Sequence, residues 1–171
     1  MTSSVAGINI PDSQLAVETT EFIRDTESPL LYHHSRRTFP FWMLHGELRG
    51  LKADPELLYV GAMFHDIGLV EGHRNLTRLF EVDGAYAARD FLVSHGMPDD
   101  AIRRVCLSIA LHTTHGVPEF MEPEIALVAA GVETDVDDAG LNLVHPATVK
   151  EITAAHPRHD FKRQAFQEFA A

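Results

Sequence analysis

Apolar and polar positions repeat along most of this chain with a period near 3.6, which predicts one helix after another. The first helix is expected over about residues 12–25, after Pro11, with Leu15, Thr19, Phe22 and Ile23 on one stripe, packing on the rest as a lid. A second is expected in LLYHHSRRTFPFWMLHGELRG, where Pro40 removes a backbone hydrogen bond and should kink the helix or divide it in two. PELLYVGAMFHD is apolar nearly all round and belongs in the core. Asp54 is placed to cap its start, Pro55 suits the first turn, and Gly68 is the expected stop.

Further along, Phe80, Ala87, Ala88, Phe91 and Leu92 mark a helix with one buried face that should stop at Gly96. In PDDAIRRVCLSIALHTTHG the inward stripe is Ile102, Val105, Cys106, Ile109 and Ala110, with Asp99 or Asp100 at the positive end of the helix and His112 near the inward face. EPEIALVAAGVETDVDD reads as another apolar helix, and HPATVKEITAAH and HDFKRQAFQEFAA as two short amphipathic ones. No segment alternates convincingly as a strand, and no internal repeat appears. The expected fold is all-α, with residues 1–171 forming one domain, since a single core serves well at this length.

Charge narrows the set of partners. A formal net charge of -11, with no run of Lys or Arg, disfavours nucleic acid. The longest apolar runs fall far short of a membrane span, and the opening MTSSVAGINIPDSQ has no basic segment followed by an apolar one. The lone Cys106 has no partner for an internal disulfide. A cytoplasmic protein acting on a small molecule is therefore expected, with no nucleic acid or membrane as partner; assembly of further copies of the chain into a homo-oligomer is compatible with the sequence.

The chemistry concentrates at His65-Asp66, a pair at the end of the most apolar helix. An ionised aspartate is costly there unless a cation or strong hydrogen bonds compensate it. Taken alone, Asp66 could simply cap the turn at Gly68 and His65 could be a hydrogen-bonded core histidine. The pair belongs, however, to a longer ordered set: His34 in HHSRRTFPFW, then FHDIGL, then GVETDVDDAG. Imidazole and carboxylate together suit Zn, Fe, Mn or Ni more than Ca.

These segments resemble the HD-domain superfamily, whose motif is a histidine, a His-Asp pair and a distal aspartate drawn from separate helices of one bundle. HSRRTFPFW, FHDIGL, RLFEVDGAYAARDFLVSHG and LSIALHTTHGV further resemble its cyanamide hydratase-like branch, over roughly residues 28 to 165. The resemblance implies an HD-type helical bundle in which His34, His65, Asp66 and a distal aspartate ligate one divalent metal ion, Zn2+ first, with Fe2+, Mn2+ or Ni2+ as alternatives. Asp135 is preferred for the distal position, with Asp137 as fallback and Asp138 nearby, while His33 is a neighbour and not a ligand.

A second metal needs further histidines between the pair and the last aspartate. That interval holds only His73, His95, His112 and His115, so one metal is expected. Asp66 and His112 are the candidates for proton transfer; for His112, a shuttle role and a plain hydrogen bond to a carbonyl stand as equal alternatives. Glu71, Arg74, Arg78 and Glu81 could lie on a loop over the site or be ordinary surface charge. Phe39, Phe41 and Trp42 could wall a pocket beside His34 or be core. Gly-rich phosphate loops, a serine nucleophile elbow and a thiolate site are all missing from the sequence.

The type reaction that the resemblance implies is hydration of cyanamide to urea. A nucleotide phosphohydrolase using Arg36, Arg37, Arg74 and Arg78, a diiron oxygenase, and a non-catalytic metal-binding module are the rivals.

Overall fold

In a computed structural model, residues 3–137, 140–158, 161 and 164 are described. The chain opens with a two-stranded antiparallel hairpin, β1 (Ser4–Val5) and β2 (Ile8–Asn9), in register Ser4 to Asn9 and Val5 to Ile8. No alternation in the sequence marks this hairpin. Two residues per strand are too few to show alternation, and the hairpin turns on Ala6 and Gly7, both at positive φ.

Helix α1 (Gln14–Thr26) starts two residues later than its periodicity suggests, because Ser13 is the cap: its Oγ accepts from the Ala16 amide at 3.1 Å. Leu15, Ala16, Thr19 and Ile23 are buried where α1 packs on α3 (Pro55–Phe64), whereas Phe22 stays partly exposed beside the rings of Phe64 and Phe91. Helix α2 (Pro29–Arg49) runs unbroken through Pro40, so the chain is not divided there. Phe39, Pro40, Phe41 and Trp42 are all buried, and tertiary packing outweighs the lost backbone bond. Gly50, left-handed at φ 66°, ends the helix.

Helix α3 begins as its sequence indicates, with Asp54 accepting from the amides of Glu56 and Leu57, and every residue from Leu57 to Phe64 is buried. It ends earlier than expected. His65 is its last cap, Asp66 follows at φ -105°, ψ 0°, and a 3-10 turn spans Ile67–Leu69. Gly68 therefore does not terminate α3; its bare Cα lets α4 (Phe80–Ser94) approach, since a Cβ there would lie 2.0 Å from the Phe80 carbonyl oxygen. Gly84 does the same from the other side, where a Cβ would meet the carbonyls of Phe64 and His65 at 3.2 and 3.3 Å. The two glycines close α4 onto the turn that carries His65 and Asp66. Gly84→Ala should push α4 off that turn and cost about 1–3 kcal/mol, the usual range for overpacking, read as a lower urea midpoint with unchanged slope.

Helices α5 (Asp99–Ala110), α6 (Pro123–Asp137) and α7 (Pro146–Ala155) complete the described bundle, with short 3-10 turns at Pro118–Phe120 and Leu141–Leu143. Helix α4 packs mainly on α5, α2 mainly on α6 and α3, and the core of α3 is enclosed by α1, α2, α4, α5 and α6. The architecture is an all-α helical bundle, as the periodicity indicated. Among the described residues no helix is long and apolar enough to cross a membrane. The last expected helix, in residues 159–171, lies almost wholly outside the described residues.

Candidate metal centre

Four helices deliver polar side chains to one closed point in the bundle. His34 comes from the middle of α2, His65 and Asp66 from the end of α3, His112 from just past α5, and Asp135 from late α6. None of the five is more than 3% exposed. Trp42 sets its ring 5.8 Å from His65, Phe80 sets its edge 5.5 Å from His112, and Phe161 stacks on His34 at 4.6 Å. Two surface clefts, one near Arg49 and His115 and one near Ile10 and Met43, include none of these residues.

The hydrogen bonds fix which nitrogen of each imidazole faces inward. His65 Nδ1 donates to the Ala62 carbonyl at 2.7 Å, His112 Nδ1 donates to the Ile109 carbonyl at 2.7 Å, and His34 Nδ1 donates to Asp135 Oδ2 at 2.7 Å. With all three Nδ1 atoms serving as donors, the three Nε2 atoms of the neutral rings are left as acceptors. They converge on Asp66. His34 Nε2 and His65 Nε2 are 3.1 Å apart and lie 3.5 and 3.3 Å from Asp66 Oδ2, while His112 Nε2 is 3.8 Å from Asp66 Oδ1.

Two imidazole lone pairs and a carboxylate oxygen this close repel unless a cation lies among them, either a proton or a metal ion. One ligand atom from each of His34, His65 and Asp66 lies within 4.8 Å of the others, and the residues fit a divalent ion that accepts N and O donors. Holding the far nitrogen of each ring on a carbonyl or carboxylate is how proteins orient metal-binding histidines.

The electrostatics follow from the same contacts. Burial opposes the charge on Asp66, but His65, His34 and His112 around it hold its carboxyl well below the usual range. Burial likewise opposes charge on His65, and Asp66 outweighs it, so His65 is raised; burial lowers His34 against the pull of Asp135 and Asp66. Burial, reinforced by His65, pushes His112 down to about 4.

The unfolded chain releases the His112 proton near 6.5, so between about pH 6.5 and 4 it binds more protons than the native state, and stability contributed by neutral His112 is lost as the pH falls through that window. Replacing His112 by Gln should therefore flatten the stability-versus-pH slope there relative to wild type, a difference worth up to about 3 kcal/mol, measured by urea unfolding of metal-free protein.

Asp135 is brought to the centre, but onto its far side. Its carboxylate faces Nδ1 of His34, not the inner Nε2, and is gripped by Arg37 through Nε at 2.9 and 3.1 Å and Nη2 at 2.8 Å. Arg37 also donates to the carbonyls of His156 and Pro157, and Arg158 bonds the Asp135 backbone oxygen. The ligand atoms that converge within 4.8 Å are those of His34, His65 and Asp66, with the Asp135 carboxylate 2.7 Å behind the His34 ring. The side chain of Asp137 and all of Asp138 lie outside the described residues. His33 Nδ1 lies 3.3 Å from His156 Nδ1.

Several residues near the centre differ from their sequence reading. Arg37, considered only as a phosphate ligand, is fully buried and committed to Asp135; its place one turn after His34 on α2 was the signal. Arg78 pairs with Asp83 and covers the Tyr86 ring, and Glu81 is buried in the first turn of α4, not displayed on a loop. Phe161 carried no recognisable signal. Phe39 and Phe41 are core, whereas Trp42 both fills the core and touches His65.

No curated protein matches the chain. Residues 31–158 match the model of the HD domain, a stretch that holds every residue of the centre from His34 to Asp135. HD domains bind divalent metals and are typically metal-dependent hydrolases, in keeping with the buried His-His-Asp cluster. With most of its length matched and the histidine, the His-Asp pair and the late aspartate gathered in one helical bundle, this chain belongs to the HD-domain family.

Proposed function

We propose that this HD domain adds water to a small nitrile-like molecule, with cyanamide as the model substrate, and that His34, His65 and Asp66 hold one divalent cation, Zn2+ first and Fe2+, Mn2+ or Ni2+ as alternatives. The observation that carries the metal-dependent reading is the approach of His34 Nε2 and His65 Nε2 to 3.1 Å beside Asp66 Oδ2 in a buried interior. Bound there, a divalent cation makes water acidic enough to serve as a nucleophile near neutral pH, though less so with carboxylate than with purely neutral ligands.

The protein supplies the rest. His112, its Nδ1 fixed on the Ile109 carbonyl, presents a neutral Nε2 toward the centre and can take the proton that water loses and return it to the substrate nitrogen. The oxygen of water bonds the nitrile carbon as one C–N π bond breaks and a first proton passes to nitrogen, giving the imidic acid; its O–H proton then moves to the same nitrogen as the C=O bond forms, and the product is an amide, or urea when the substrate is cyanamide. Trp42, Phe80 and Phe161 keep bulk water off the reacting atoms and favour a small substrate. The resemblance to the hydratase branch supports the same choice.

The phosphohydrolase reading needs arginines ready to receive phosphate oxygens. Arg37 is already engaged by Asp135 and Arg78 by Asp83, while Arg36 donates to Tyr59 and His156. The test is to determine the bound metal in purified protein and to assay cyanamide, alkyl nitriles and nucleoside monophosphates with and without chelator. Chelator-sensitive urea or amide formation is expected; phosphate release without either replaces the proposal by the rival. His112→Ala should retain the metal and slow turnover by about 10^2- to 10^4-fold, the usual range for a lost acid–base group. Loss of metal from that variant makes His112 a ligand.

A further inference from the structure

Two carboxylates are buried in the first turn of α4, and their fates differ. Asp83 accepts from the Asn75 amide at 2.6 Å on one oxygen and from Arg78 at 2.8 Å on the other. Glu81, 7% exposed, accepts from Thr113 Oγ1 on Oε1, while its Oε2 is shielded from solvent and has no hydrogen-bond partner among the described residues. A buried acceptor of this kind is a cost that the fold does not recover within itself.

Its position explains what else could meet it. Gly68 and Gly84 let the first turn of α4 close on the His65–Gly68 turn, so Glu81 belongs to the same wall of the centre. On either side of it, Phe80 lays its ring edge on His112, and Thr113, the residue after His112, holds Glu81 Oε1. His112 itself is not the missing partner, because its Nδ1 is committed to Ile109 and its Nε2 faces Asp66.

We propose that Glu81 is a substrate-binding residue whose second carboxylate oxygen accepts a hydrogen bond from an N–H of the molecule being hydrated, beside His112. This rests on the hydration reading above and narrows it to small neutral substrates that carry an N–H next to the electrophilic carbon. A site built around an acceptor rejects an analogue lacking the matching donor far more strongly than an apolar pocket rejects a missing methyl. The same carboxylate repels a phosphate.

The experiment compares cyanamide, monomethylcyanamide and dimethylcyanamide on metal-loaded wild type, Glu81→Gln and Glu81→Leu. Monomethylcyanamide adds a methyl and keeps one N–H, while dimethylcyanamide adds a second methyl and has none, so the step from cyanamide gauges the effect of a methyl and the next step adds loss of the last N–H. Wild type should favour monomethylcyanamide over dimethylcyanamide by about 10- to 100-fold in kcat/KM, the worth of a hydrogen bond to a charged group. Glu81→Leu should shrink that ratio toward unity, chiefly through the N–H-bearing substrate, and Glu81→Gln, which keeps a neutral amide acceptor, should shrink it part of the way; both should bind urea more weakly in titration calorimetry while keeping the wild-type metal content. Should Glu81→Leu fail to fold, Glu81→Met, which also lacks a carbonyl acceptor, takes its place.

An unchanged ratio in variants that still hydrate cyanamide overturns the inference and leaves the hydration reading intact. Loss of a metal equivalent on changing Glu81 also overturns it, making the residue a cation ligand. Wild-type protein that hydrates none of the three compounds overturns the hydration reading, and this assignment with it.

Discussion

Asp66→Ala is expected to yield a folded protein that retains no divalent metal after dialysis and shows no metal-dependent turnover. Asp66 is the one carboxylate among the three residues whose ligand atoms converge, and among the described residues it is the carboxylate that the inner nitrogens of His34, His65 and His112 face. Without it, three neutral imidazoles share a buried space with no carboxylate at their inner nitrogens to offset a doubly charged ion, whose desolvation is then poorly compensated. The loss should exceed the about 10- to 100-fold drop in affinity that follows removal of a group merely orienting a ligand. Folding should survive, because the change also removes a buried charge, and His65, raised chiefly against burial by Asp66, can then stay neutral. Metal content by mass spectrometry, together with turnover of the same sample, checks this. A stoichiometric ion surviving in the variant moves the binding set away from the His-Asp pair.

What the sequence made legible was local. Asp54 and Pro55 announce the start of α3, Gly96 the end of α4, and the stripe through Val105 and Ile109 the buried face of α5, because each signal lies within a turn or two of the structure it specifies. Contacts between distant segments were not legible in the same way. Gly68 looked like a helix stop and is instead a point of close approach to Phe80; Pro40 looked like a break and is held within one helix by the aromatic packing on both sides of it.

Charged side chains were the hardest to place, since nothing in residue type distinguishes a solvated Glu81 or Arg37 from a buried one. His112 shows how two rival readings can both describe one residue: Nδ1 bonds a carbonyl, as a structural histidine does, and Nε2 faces the centre, as a proton carrier must. The choice of Asp135 over its neighbours rested on its following the apolar helix. Which nitrogen of His34 it meets depends on Arg37, another residue of α2, and so on packing that no local motif records.

Asp135→Ala should be the most destabilising of the substitutions considered, by about 3–5 kcal/mol, because it strands a buried cation. Arg37 is fully enclosed, and its only carboxylate partner among the described residues is Asp135; the remaining donors reach carbonyls of His156 and Pro157. The Arg37→Met, Asp135→Leu double variant removes both charges and should regain most of the stability, since a buried ion pair often contributes little net against apolar groups of similar size. Metal affinity should not follow. His34 loses the acceptor that fixes its ring whether or not Arg37 is present, so both variants should bind the ion about 10- to 100-fold more weakly than wild type. A double-mutant cycle in urea, run beside metal titrations, separates the two effects: stability restored while affinity stays reduced is the signature of a carboxylate that orients His34 from behind. Complete loss of metal from both variants, matching Asp66→Ala, is the result that would make Asp135 a direct ligand that abandons Arg37 when the ion binds.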